Sequence, residues 1–318
     1  MPNANHTHDH DAARRDELGT PCVLVVPAYN EAGSISSCLD AAHKATLPQG
    51  FFWTYWLVVD DASTDGTAEI VEQWSSRTRS APLVLQRFRK RAGKQRALNY
   101  CHSTLIQRDE LDTIVICCDA DGEVDSQCFV NLLGTFQNSA AISIVSGVKL
   151  PFRYGFGQLA SAFQLFALLD LWRSLGTETY RADSSVFAYR VSQLTDFVWQ
   201  PNRALDDVQL IDFAWERRLR VTSRWDAIIR VRPSSRFRDF YRQLTRRPRA
   251  DTEHSAVPPS ATRLYKLGAL ARTLARHPVE GCAYIVIRAL SEIIRLTDRS
   301  HFTDLWQTPI TTKVKDRR

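Results

Sequence analysis

The residues best suited to chemistry in this 318-residue chain are Asp119 and Asp121, in the run Cys117-Cys118-Asp119-Ala120-Asp121-Gly122. The apolar stretch 113–118 reads as a buried strand. Side chains on a strand alternate faces, so two acids one residue apart point the same way while the chain stays extended. Paired carboxylates at a strand end can hold a hard divalent cation, and Mg²⁺ takes one or two carboxylates alongside substrate phosphates. A solvated acidic turn has the same composition, and for an isolated Asp-x-Asp it is the commoner outcome. Further polar clusters at apolar-run ends weigh against it here. Val25-Val26-Pro27-Ala28-Tyr29-Asn30-Glu31 ends one such run, and Val58-Val59-Asp60-Asp61-Ala62-Ser63-Thr64-Asp65-Gly66-Thr67 ends another. Asp60 and Asp61 are adjacent acids that repel unless something binds them. One suits a hydrogen bond from a nucleotide base N–H, the other a structural contact. Asp65 or Thr64 suits the cap of the following helix.

The elements that must position these residues follow from hydrophobic periodicity. Residues 22–26, 55–59, 83–88, 113–118 and 141–150 read as strands. Between them, Ile35, Cys38, Leu39 and Ala42 share one helix face, as do Thr67, Ile70, Val71 and Trp74. Ala97, Leu98, Cys101 and Leu105 mark a third helix, and Phe129, Leu132, Leu133 and Phe136 a fourth. Strand and helix in alternation imply a parallel sheet covered on both faces, with ligands bound outside the carboxyl ends of its strands. Beyond residue 150 the pattern changes. A long apolar helix spans 156–175, strands are expected at 185–189 and 221–231, and a helix at 206–219. Residues 248–260 read as a linker, and 264–274 and 281–296 as amphipathic helices. The run 279–296 is interrupted by Arg288, Glu292 and Arg295, so it suits packing on the domain or lying in a membrane interface better than spanning a bilayer.

Taken in order, VVPAYNE (25–31), VVDDASTDGT (58–67), KRAGKQRALN (90–99), CDADGEVD (118–125) and LDDVQL (205–210) resemble the family-2 glycosyltransferases of the GT-A fold, inverting enzymes that use nucleotide sugars. The likeness covers roughly residues 20–215. It implies an α/β fold of GT-A type: a mostly parallel, Rossmann-like sheet with helices on both faces, here followed by C-terminal amphipathic helices. The implied division is a tail (1–20), a glycosyltransferase domain (21–247, with a nucleotide-sugar half 21–150 and an acceptor half 151–247), a linker (248–260), helices (261–300) and a tail (301–318). By the same likeness Pro27, Tyr29 and Glu31 line the nucleoside pocket, and Asp60 or Asp61 reads the base. Lys94 lies near the diphosphate, although a surface lysine opening a helix would look the same. Asp119 and Asp121 serve the donor and a Mg²⁺ or Mn²⁺ ion, with Asp121 the direct metal contact. Asp207 matches the base that takes the acceptor proton, and Asp206 stands where the family usually has Glu. An acidic helix start favoured by the macrodipole is the structural alternative for that pair. Gln243 and Arg246 match a Gln-x-x-Arg-Trp element and would contact the diphosphate or cap the cleft, but Arg247 replaces the tryptophan. That replacement points away from processive export and towards transfer of one sugar or a few. A basic amphipathic helix is the alternative there.

Bulk properties bound the partners. A net charge of +6 is concentrated in residues 217–249, which hold twelve arginines against two aspartates. Such a stretch suits a solvated face, an anionic bilayer surface or a phosphorylated substrate. No zinc finger, RNA-recognition aromatics or heptad zipper accompanies it, so nucleic acid is not expected as a partner. The seven cysteines lack zinc-type spacing and read as reduced, buried thiols. Residues 1–20 are polar, with no apolar segment of a secretory leader. The expected partners are a UDP- or GDP-linked donor and a hydroxyl acceptor, lipid-linked or a polysaccharide precursor of the cell envelope. The expected location is cytoplasmic, peripheral at the inner face of the plasma membrane. Two other readings compete: a sugar-nucleotide pyrophosphorylase, which would want a Gly-rich loop after the first strand, and a catalytically silent membrane-surface adaptor. A dehydrogenase would need G-x-G-x-x-G after a strand, and none is present.

Overall fold

The computed structural model describes residues 19–78, 82–176, 183, 185–201, 205–236, 240 and 259–297. Apolar runs form the strands and the amphipathic stretches form helices. In chain order these are β1 (Thr20–Ala28), α1 (Ile35–Lys44), β2 (Phe51–Asp60), α2 (Thr67–Arg77), β3 (Leu83–Arg87), α3 (Lys94–Gln107), β4 (Ile114–Cys118) and β5 (Gly122–Val124). Then come α4 (Cys128–Asn138), β6 (Ile142–Pro151), α5 (Leu159–Leu175), β7 (Val186–Arg190), α6 (Asp206–Glu216), β8 (Arg220–Val231), α7 (Pro259–Arg276) and α8 (Pro278–Thr297).

All eight strands join one sheet in the order β3-β2-β1-β4-β7-β6-β8-β5. β3, β2, β1 and β4 run parallel, as do β6 and β8. β1 is central and covered on both faces, which is why its sequence is a continuous apolar run rather than an alternating one. Its Cys22, Leu24 and Val26 join α1 and α4 side chains in one core, where Leu39, Phe129 and Leu133 are fully buried. Val23 and Val25 face the other core, with Leu98, Cys101, Trp199 and Leu210.

The strand at 142–151 does not extend the parallel series directly. β7 lies between β4 and β6 and pairs antiparallel with both, because the chain runs out along α5 and returns in the opposite sense. The sequence reading placed no strand at β5, which is three residues long and antiparallel to β8. Its Gly122 is packed so closely that a Cβ there would stand 2.4 Å from Ile229 Cδ1.

α7 and α8 pack against α5. Leu169, Trp172 and Ala269 form a small core with Val148 of β6, and the Phe163 and Tyr284 rings lie 5.2 Å apart. Among the described residues no helix is long and apolar enough to cross a membrane. All seven cysteines are free; six are buried and Cys282 is exposed.

Candidate active site

The order β2-β1-β4 sets the carboxyl ends of three parallel strands side by side. The loops that leave them carry Asp60 and Asp61, then Pro27 to Glu31, then Asp119 and Asp121. A crevice outside such strand ends is where open α/β sheets bind ligands.

The first two loops brace each other. Asn30 accepts from the Thr64 N–H (2.8 Å) and its own N–H donates to Ser63 Oγ (2.9 Å). Asp65 accepts from Ala32 N–H and from the N–H and hydroxyl of Thr67, bracing the start of α2, but the residue that caps the helix is Gly66 (φ 89°) and not Asp65 or Thr64. Asn30 and Ala62 both adopt positive φ (53° and 61°), a conformation that costs an L-residue about 1–2 kcal/mol and here shapes the pocket rim.

Asp61 is wholly buried, and its two oxygens accept the N–H groups of Ala92 (2.7 Å) and Gly93 (2.8 Å). It thereby fixes the loop ahead of Lys94. Burial pushes its carboxyl above the usual range, against the pull of those two N–H groups and of Arg91. Asp60, also buried, accepts from Ser63 N–H and pairs with Arg87 at 3.7 Å. Pro27 is buried within β1, and Tyr29 is partly exposed with the Arg91 guanidinium 3.9 Å from its ring centre. Tyr29, Arg91 and Asp61 thus stand together near the ends of β1 and β2, an aromatic face and a guanidinium of the kind that suits a flat ring. Arg91 was not singled out in the sequence, although it lies inside the KRAGKQRALN stretch.

The acids of β4 and α6 meet at one lysine. Lys94 opens α3 with its side chain only 4% exposed, and its Nζ lies 2.6 Å from Asp119 Oδ1 and 3.0 Å from Asp206 Oδ2. It is therefore a buried cation clamped between two carboxylates, not a surface lysine. Its ammonium is held well above the usual range by Asp119 and Asp206, in spite of burial. The turn before α6 is pinned on both sides. Asn99 exchanges two hydrogen bonds with the Trp199 backbone (2.7 and 2.9 Å), and Gln209 does the same with Gln200 (2.7 and 3.1 Å). Trp199 Nε1 donates to the Asp206 carbonyl at 3.1 Å.

Asp207, next on α6, is partly exposed and points its Oδ1 at the Val208 N–H (2.9 Å). Burial, then Asp206 and Asp183, push its carboxyl up to about 7, while Lys149 and Lys94 pull the other way. Asp121 behaves alike: burial, Glu31 and Asp119 raise it to about 7, opposed by the same two lysines. The strand-end acid and the helix-start acid therefore feel the field of the same two ammonium groups. Lys149 of β6 is the second of these. Its Nζ lies 3.1 Å from Asp183 Oδ1 and donates to Ser185 Oγ at 3.4 Å. Lys149, Asp183 and Ser185 escaped the sequence reading because they sit in the region beyond residue 146 where no recognisable motif surrounds them. Glu31 is buried, accepts from the Ser34 hydroxyl at 2.6 Å and faces Asp121 through space. Gln243 and Arg246 lie outside the described residues, as do 1–18, 241–258 and 298–318.

Among the described residues no group of three or more His, Cys, Asp or Glu forms a ready-made metal cage. The donor set nevertheless fits a hard cation. Asp121 is a carboxylate crowded by Glu31 and Asp119, and a cation completed by phosphate oxygens and water would relieve that crowding.

Residues 23–195 match the model of glycosyl transferase family 2. The chain belongs to that family. Its fold is of GT-A type. It is 23% identical over 164 residues to the glycosyltransferase AglE of Haloferax volcanii, an alignment that covers 52% of this chain and 51% of that one. The chain thus spans about half the length of that curated relative. Its fold is similar to the mannosyltransferase PcManGT of Pyrobaculum calidifontis, solved with GDP-Man and Mn²⁺, at a TM-score of 0.56 and 21% identity over 88% of this chain and 79% of that one. GalNAc-T7, solved with UDP, GalNAc and Mn²⁺, gives a TM-score of 0.50 at 13% identity over 68% of this chain and 43% of that one. The family match favours the glycosyltransferase reading over the pyrophosphorylase.

Proposed function

We propose that this glycosyltransferase moves one sugar, with inversion, from a UDP- or GDP-linked donor to a hydroxyl acceptor with the help of Mg²⁺ or Mn²⁺. The observation that carries the reading is the buried Lys94 bound at once to Asp119 of the strand-end pair and to Asp206 beside Asp207. Donor acids and candidate base are thereby held in one rigid unit. Asp121, assisted by Asp119, would hold the cation, which supplies charge neutralisation at the departing diphosphate. Tyr29 and Arg91 would flank the base, with Asp60 or Asp61 and the buried Pro27 and Glu31 shaping the pocket. Asp207 takes the proton from the acceptor hydroxyl. A carboxyl raised to about 7 is poised for this, since a base works best with its pKa near the working pH. Lys149, fixed by Asp183 and Ser185, keeps that carboxyl from rising further. Gln243 and Arg246 would add contacts to the diphosphate.

For the acceptor we favour a hydroxyl compound on a lipid carrier at the inner face of the plasma membrane, a precursor of envelope glycan. The motive is the apolar character of the C-terminal helix pair. The test of the reaction is a pair of variants. Asp207→Asn should leave nucleoside-diphosphate binding, read by thermal shift, unchanged while turnover disappears, and Asp121→Ala should lose the divalent-metal enhancement of that thermal shift. An Asp207→Asn chain turning over at the parental rate would overturn the assignment of the base.

A further inference from the structure

A surface helix ordinarily turns its apolar stripe to the core and its charges to water. α7 and α8 turn apolar side chains both to the domain and outward. On α7 the side chains packed inward include Ala269 and Thr273, and Thr273 Oγ1 donates to Asp170 Oδ2 of α5 at 2.7 Å. Arg276 Nη1 also turns to Asp170, at 2.8 Å, and Arg272 donates to Ser174. The opposite face carries Leu264 (72% exposed), Leu267 (64%), Ala271 and Ala275. On α8 the inner side is formed by Gly281, Tyr284, Ile287 and Arg288, while Val279, Ile285, Val286 and Leu290 are exposed together with Cys282 and Ala289. The pair is not loosely seated: Gly281 approaches α7 so closely that a Cβ would meet Leu274 Cδ1 at 2.2 Å and Phe163 at 3.0 Å. Tyr154 also donates to Glu280 at 3.1 Å. The apolar face is therefore a fixed property of the fold.

Charge decides what covers it. The sequence of α7 has no acid, and its Lys266, Arg272 and Arg276 all stay exposed, the two arginines while reaching Ser174 and Asp170. A second copy would bring the same basic helix against itself, and like charges at an apolar seam cost affinity. An anionic bilayer offers apolar depth and opposite charge together, the pairing that holds amphipathic helices in the plane of a membrane interface. We propose that the outward faces of α7 and α8 form one platform that lies on an anionic lipid surface. The platform concerns where the enzyme sits. It does not depend on the donor acids or on Asp207.

The test mixes the full chain with vesicles of phosphatidylcholine, or of phosphatidylcholine and phosphatidylglycerol in equal parts, and measures co-sedimentation. The chain should bind the anionic vesicles, bind the neutral ones more weakly, and release as salt rises. Leu267→Gln with Val286→Gln and Leu290→Gln should weaken vesicle binding about tenfold or more, because each removes an apolar side chain from the lipid boundary. The same variant should keep the parental melting temperature and nucleoside-diphosphate thermal shift, which certifies its fold. Asp207→Asn should bind vesicles like the parent, so failure of the reaction and failure of the platform are told apart. A parent chain that ignores anionic vesicles would overturn the proposal. So would a parent dimer, seen by sedimentation velocity, that the three substitutions convert to monomer.

Discussion

The crevice at the ends of β1, β2 and β4 and the outer face of α7 and α8 both break the rule that apolar groups go in and charges stay out, and they break it in opposite directions. In the crevice, Asp60, Asp61, Lys94 and Asp206 are buried and each is held by a named partner. On the helix pair, Leu264, Leu267, Val279 and Val286 are exposed with nothing in the described chain against them. Departures of this kind lower stability, and a fold that keeps them does so where it meets something else. The crevice is built to receive a charged ligand, the helix pair an apolar one. What separates them is internal compensation: Lys94, Asp61 and Asp206 in the crevice are paired within the chain, leaving Asp121 and Asp207 crowded by acids, whereas an apolar face has no internal way to be satisfied.

That difference predicts where substitutions will hurt. Asp207→Asn should show the largest effect on rate, a fall of about 10²–10⁴-fold in kcat in a radiolabelled-sugar transfer assay, with donor binding intact. Lys94→Met should show the largest effect on stability. It leaves the buried Asp206 and the partly exposed Asp119 without their shared cation, a type of loss worth about 3–5 kcal/mol in denaturant unfolding. Were Lys94→Met nearly neutral, Lys94 and its two acids would not be the paired unit described above.

The pH dependence probes the same cluster more gently. Asp207 must be ionised to accept a proton, and its carboxyl is raised to about 7 by burial, Asp206 and Asp183. The base is therefore lost as pH falls through that value, and kcat/KM should drop about tenfold per unit below it. Because Lys149 opposes the rise, Lys149→Met should move this acid limb to higher pH. A limb that stays put would remove Lys149 from the electrostatics of the base.

How far these two regions could be read from sequence differs for the same physical reason. Strand ends in a parallel sheet are fixed by a few residues on continuous apolar runs, so Asp61, Asp119 and Asp121 could be placed from local pattern, whereas Asp206 and Asp207 at the start of α6 came from the family resemblance alone. The partners of those acids were harder. Lys149, Asp183 and Ser185 reach the site only because β7 inserts antiparallel between β4 and β6, a long-range pairing that no local periodicity signals. Lys94 read equally well as a surface residue, since its burial depends on α6 arriving over it. The helix pair was legible as amphipathic, but periodicity shows that a stripe exists and not which way it faces. Only the packing of Ala269, Tyr284 and Ile287 on the domain reveals that Leu264, Leu267, Val279 and Val286 form a further apolar face left outward.

Smaller effects sharpen the contrast on the helix side. Gly281→Ala places a methyl within 2.2 Å of Leu274 Cδ1 and 3.0 Å of Phe163, so the helices must separate slightly. Overpacking of this kind costs about 1–3 kcal/mol, readable as a lower melting temperature. Leu267→Gln, two turns from Leu274 along α7 and on the outer face, should change stability by no more than about 0.5 kcal/mol, as expected of a surface position. The small number is the informative one. A leucine that is 64% exposed contributes little to folding in water, so its presence there is explained by something other than the fold. If Leu267→Gln instead destabilised the isolated chain by an amount comparable to Gly281→Ala, the residue would already be covered in solution by another part of the protein or by a second copy. The comparison of the two substitutions in urea, with and without anionic vesicles, separates those cases. Without vesicles only Gly281→Ala should shift the midpoint, and with them Leu267→Gln should lose the extra stability that lipid binding confers by mass action.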